Sequence, residues 1–140
     1  MTSPQIKQAT PLITVEDVGA CLPFWTEQLG FELLGTVPHE DTIGFAMLKH
    51  GDVMLMYQSQ ASVEADLGAS GAPADLHERM GAGTSTLFIE VEKLDAVISA
   101  VEGAPVLVPR RQTFYGMDEI FVQAPCGTVV GFAERIEKAD

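Results

Sequence analysis

Thr10-Pro11-Leu12-Ile13-Thr14-Val15-Glu16-Asp17-Val18, running on through Cys21-Leu22-Pro23-Phe24-Trp25 to Leu29-Gly30, is the stretch that decides the fold. Residues 10–15 alternate and are rich in β-branched types, which marks a short strand. Asp17 then serves as an N-cap for a helical pattern through Val18, Cys21, Leu22, Trp25 and Leu29, and Gly30 supplies the stop. Pro23 falls in roughly the second turn of that helix, where its cost is modest. Trp25 shares a helical side with Leu22 and Leu29, so packing against a sheet is its expected role.

Three short strands are expected next, at 31–37, 42–49 and 52–58, parted by Pro38-His39-Glu40-Asp41 and by the turn His50-Gly51-Asp52. The second half repeats this order. Residues 86–91 read as a strand, Leu94, Val97, Ile98 and Val101 as one apolar helical face ending at Gly103, and strands follow at about 105–109, 117–123 and 128–134. Laying Thr10 on Thr86 also lays Val15 on Val91, Glu16 on Glu92 and Ala20 on Ala96, a constant offset of 76 residues (86 minus 10). The chain thus reads as a single domain, 1–140, with module one at 8–58, a linker at 59–83 and module two at 84–134. The linker is rich in Ala, Gly and Ser, with short helices expected near 62–67 and 74–80, delimited by Gly68, Gly81 and Gly83. It is long for a plain connector, and either closes one side of a cavity or simply crosses the surface.

A strand–helix–three-strand unit cannot bury both sides of its sheet alone. The expected fold is α+β, with two βαβββ modules forming a curved, barrel-like mixed sheet around a cavity and the helices outside.

Composition narrows the partners. The chain is 46% hydrophobic and 20% charged, which excludes a wholly disordered acidic protein despite a net charge of −12. Twenty Asp and Glu against eight Lys and Arg repel phosphate backbones and anionic lipid heads, so nucleic acid and membrane are not expected partners, whereas a basic ligand is favoured. Cys21 and Cys126 are too few for a disulfide scaffold, and no leader or long apolar run is visible, so a cytoplasmic location is expected.

Ile13-Thr14-Val15-Glu16-Asp17-Val18, Phe24-Trp25-Thr26-Glu27-Gln28-Leu29-Gly30-Phe31 and the run from Tyr115-Gly116 through Ala124-Pro125-Cys126-Gly127 to Gly131-Phe132 resemble the vicinal oxygen chelate superfamily. That superfamily includes glyoxalase I, bleomycin-resistance proteins and extradiol dioxygenases, and the resemblance covers about residues 8–134. The resemblance implies a divalent ion held by one side chain from the first and one from the last strand of each unit. The matching positions carry Thr10, Met54, Thr86 and Gly131, none with an imidazole or carboxylate. His39, His50 and His77 fall in expected turns or the linker. No metal site and no cofactor are therefore expected.

Period-two parity places Thr10 and Leu12, Met54 and Met56, and Thr86, Phe88 and Glu90 on inward faces, with Phe121 and Gly131 beside them. Phe114 and Tyr115, just before Gly116, are placed to clamp a ligand at the mouth, and Arg110-Arg111 forms a small basic island. Together these form the candidate ligand-binding set, although the same apolar side chains at strand spacing would equally serve to fill an interior. Glu90 and Glu119 are the candidate catalytic carboxylates, since in a partly apolar cavity either could act as a base or pair with a cation. The leading functional reading is metal-independent binding or sequestration of a small organic ligand, a cationic one being an option the acidic charge favours, closest to the bleomycin-resistance branch. The alternatives are a glyoxalase-like lyase, a dioxygenase or a metal-free isomerase. A homodimer is expected, with the modules paired either within or between chains.

Overall fold

The computed structural model describes residues 4–5, 7–81 and 86–136. Gly83 and the first two residues of the expected second module lie outside the described residues. In the first unit, β1 (Leu12–Val15) leads to α1 (Val18–Pro23), a π-helical turn (Phe24–Gln28), β2 (Glu32–His39), β3 (Thr42–His50) and β4 (Val53–Ser59). Helices α2 (Gln60–Gly68) and α3 (Leu76–Gly81) form the connection. The second unit runs β5 (Thr86–Glu90), α4 (Leu94–Ala100), β6 (Val106–Gln112), β7 (Met117–Gln123), a 3-10 turn (Pro125–Gly127) and β8 (Val129–Arg135). No helix among the described residues is long and apolar enough to cross a membrane.

Local chemistry accounts for the helix starts. The Asp17 carboxylate accepts from the Ala20 amide at 3.3 Å and caps α1, and the Ser59 hydroxyl caps α2 by accepting from the Ser62 amide at 3.1 Å. α4 begins after Lys93, which is in the left-handed region at φ 57° and contributes no side-chain cap. Its first amides are satisfied from across the sheet: Glu134 of β8 accepts from the Lys93 and Leu94 amides at 3.1 and 2.9 Å.

The expectation of one barrel-like sheet is wrong. The strands form two separate four-stranded sheets, ordered β1-β4-β3-β2 and β5-β8-β7-β6, and neither closes. Within each, the first strand runs parallel to the last and the other neighbours are antiparallel. The outer strands β2 and β6 both carry register shifts, and Pro38 and Pro109 each remove a backbone donor from these edges.

The units meet through helices instead. Val18, Cys21, Leu22 and Trp25 form a buried stripe on the first helical segment, and they share one apolar core with Leu48, Leu55 and Tyr57 of the first sheet and Ile120, Val122, Val130 and Phe132 of the second. Trp25 packs edge-to-face with both Phe24 and Phe31, each at 5.1 Å between ring centres. Its indole Nε1 donates to the Tyr57 hydroxyl at 2.9 Å, and that hydroxyl lies 3.4 Å from the Thr128 hydroxyl of the second unit. Tyr57→Phe leaves the buried indole N–H without its phenolic acceptor and is expected to cost about 1–3 kcal/mol. Urea unfolding at neutral pH would measure it; a variant as stable as the native chain would remove this contact from the account.

Candidate functional site

Alternation along each strand assigns one face to the core and leaves the other for function. On the first sheet, Leu12 lies opposite Met56 and Met56 opposite Met47, so a leucine and two methionines form one row across three strands. Thr14 pairs with Gln58 and Gln58 with Phe45 in the next row. Met47, Met54 and Met56 are half-buried, and α2 and α3 pack near β1, which covers part of this region. The Thr14 hydroxyl is buried with no hydrogen-bond partner among the described residues.

Thr10 and Met54, two positions where the superfamily resemblance implies metal ligands, are tied together by a residue that sequence patterning does not single out. The Gln8 amide donates to the Thr10 hydroxyl at 2.9 Å and to the Met54 sulfur at 3.5 Å.

The second sheet offers a different surface. Phe88, Gly131 and Phe121 lie side by side across β5, β8 and β7. A Cβ on Gly131 would stand only 2.6 Å from Cε2 of Phe121, so the missing side chain is what allows the Phe121 ring to lie over β8. There it approaches Phe88, with ring centres 6.2 Å apart and planes inclined by 48°. Phe88 is 50% exposed.

The next row carries the charges. Arg111 lies opposite Glu119, Glu119 opposite Ala133, and Ala133 opposite Glu90. Glu119 is completely buried: its Oε2 accepts from Nε and Nη2 of Arg111 at 3.2 and 3.0 Å, and its Oε1 accepts from the Tyr115 hydroxyl at 2.7 Å. Glu90 is exposed and accepts from Arg135 at 3.3 Å. Both candidate carboxylates are thus held by arginines. Tyr115 stacks edge-to-face on a fully exposed Phe114 at 5.1 Å.

The two halves of the basic island part company. Arg110 bonds outward to Asp118 at 2.8 Å and Asp95 at 2.6 Å, and its hydrogen bond holds the Asp118 carboxyl below the usual carboxylate range. Arg111 turns to the opposite face. The Arg111–Glu119 pair leaves a trace in the sequence, because a hairpin turning about Tyr115 sets residues four before it against residues four after it. Reading β6 as ending near residue 109 hides this; it continues to Gln112.

The residues present do not fit a divalent ion. Two hydroxyls, a thioether already contacted by an amide, and a glycine lying under a phenyl ring offer no nitrogen or carboxylate donor. No group of three or more His, Cys, Asp and Glu converges among the described residues.

Two βαβββ units joined through their helices, each with one sheet face turned away from the shared core, define the architecture. The chain belongs to the glyoxalase/bleomycin resistance protein/dioxygenase superfamily, whose sequence pattern matches residues 5–132. Solved structures share the fold at low identity. TioX from Micromonospora sp. ML1 has 18% identity and a TM-score of 0.71, covering 93% of this chain and 99% of that one. A glyoxalase/bleomycin resistance protein/dioxygenase from Nocardioides has 19% identity and a TM-score of 0.73, with 99% and 89% covered. Lactoylglutathione lyase from Agrobacterium tumefaciens has 20% identity and a TM-score of 0.67, with 94% and 95% covered. No match was found among curated proteins.

The hydrogen bond to Glu119, then burial, raise the Tyr115 phenol above its usual pKa of about 10. A raised folded-state value contributes stability that is present below about pH 10 and is lost as pH rises through the folded value. Ultraviolet titration should show a late-ionising phenol that disappears in Tyr115→Phe and moves back toward 10 in Glu119→Gln. An unchanged titration in Glu119→Gln would contradict the contact.

Proposed function

We propose that this protein binds a small organic molecule without a metal ion and leaves it chemically unchanged, in the manner of a bleomycin-resistance-type binding protein. The observation that carries this reading is the Phe121 ring lying over Gly131 beside Phe88, since an aromatic surface occupies the place where the superfamily resemblance implies a metal-bound side chain. Such a surface supplies stacking area for an organic ligand and no Lewis-acid contact. The isomerase alternative calls for a carboxylate free to take a proton, and the arginine partners of Glu90 and Glu119 weigh against it.

The cavity is completed by a second copy. Leu12 on the first sheet and Phe88 on the second are exposed large apolar residues, and no strand of one sheet pairs with a strand of the other. A two-fold pair that sets the methionine face of one chain against the aromatic face of the other closes two equivalent cavities and covers both surfaces. The net charge of −12 opposes association at long range, so the contact must be substantially apolar.

Elemental analysis after chelator washing is expected to find no stoichiometric transition metal, and sedimentation equilibrium at physiological salt a mass near twice 15.0 kDa. A thermal-shift screen should return stabilising organic compounds recovered unaltered after incubation. Retained metal, or turnover of a stabilising compound, would overturn the binding reading; a persistent single-chain mass would overturn the shared cavity.

A further inference from the structure

The second sheet's face carries more chemical information than its aromatic pair, and that information bears on what the ligand is. This inference rests on the small-molecule reading above and narrows it.

Glu119 has both oxygens engaged and no exposure, so its role on this face is to hold two partly exposed groups in place. Tyr115 gives its only hydroxyl proton to Oε1, which leaves the phenol oxygen to act toward a ligand as an acceptor. Arg111 spends Nε and Nη2 on Oε2, and a guanidinium carries five N–H groups, so it keeps donors to offer. The Arg111 side chain is 56% exposed and Tyr115 is 47% exposed, so both can be reached from solvent. One carboxylate thereby fixes an acceptor and a donor next to each other. A phenol keeps its proton through the physiological range, and the bond to Glu119 holds it more firmly still.

The charges of the row cancel. Arg111 neutralises Glu119 and Arg135 neutralises Glu90, so two cations and two anions share this edge of the face. A ligand carboxylate would find a phenol with no proton to give, in the field of a chain carrying −12. A ligand ammonium would meet the Arg111 guanidinium. A neutral group that both donates and accepts matches the pair, and an amide is the simplest such group. One row away, Phe88 and Phe121 supply a surface for a flat ring.

We propose that this face selects an uncharged aromatic molecule bearing an amide or an equivalent donor–acceptor pair. Its ring lies on Phe88 and Phe121, and its polar end is read by the Tyr115 oxygen and the Arg111 guanidinium.

Three naphthalene probes of one shape test this on the full chain: 2-naphthamide, 2-naphthoate and 2-naphthylmethylamine, titrated by calorimetry or by probe fluorescence. The amide is expected to bind at least tenfold more tightly than either charged probe. Tyr115→Phe removes the acceptor and should weaken the amide roughly fivefold while leaving the charged probes unchanged, as the loss of one hydrogen bond predicts. Phe88→Ala, at an exposed position, should weaken all three. Equal or tighter binding of either charged probe overturns the proposal, as does an unchanged preference in Tyr115→Phe. Should Tyr115→Phe not fold, the ranking on the native chain decides alone. Three probes bound alike and all weakened in Phe88→Ala would sink the donor–acceptor inference while the aromatic site stood. No binding by any probe would sink it too, and the broader reading would then rest on the independent compound screen.

Discussion

A buried phenol links the two units at the centre of their shared core. Tyr57 stands on the last strand of the first sheet, accepts from the indole of Trp25 on the helical segment, and reaches Thr128 beside the last strand of the second unit. Polar atoms at that depth are costly unless paired, so the contact contributes to the join alongside the apolar core. The join is made through helices and core side chains. Strand edges take no part in it, and for that reason the two sheets stay separate and their far faces are left for other uses.

Those faces are chemically unlike. One is built on methionines and a leucine, the other on two phenylalanines beside a row of paired charges. The difference turns on one residue without a side chain. A side chain at Gly131 would project over this face; here the Phe121 ring takes that volume, and even a Cβ would collide with it. Glu119, two residues along β7 from Phe121, is withdrawn from solvent chemistry by Arg111 and Tyr115. This geometry is what the proposal of binding without chemical change rests on.

Much of this was legible in the chain. The Asp17 cap, the apolar stripe from Val18 to Trp25, the βαβββ order and the shared sheet face of Phe88, Phe121 and Gly131 all follow from local rules that need only near neighbours. The barrel expectation failed because strand patterning identifies strands and their faces but says nothing about which edges find partners, and here helix packing took that role. The bonds from Gln8 to Thr10 and Met54 were hidden because one glutamine in an unpatterned segment has no period to betray it. Arg111 was read only as part of a basic island beyond a strand ending near residue 109. Its partnership with Glu119 becomes visible only once β6 is seen to continue to Gln112.

Native mass spectrometry of protein taken from cell extract under non-denaturing conditions bears most directly on the central claim, that metal-free faces from two chains enclose an organic ligand. The account predicts an assembly of two chains of 15.0 kDa carrying an organic mass that is released on denaturation, with no metal increment. A single chain without adduct, or an assembly carrying a stoichiometric metal ion, would contradict it.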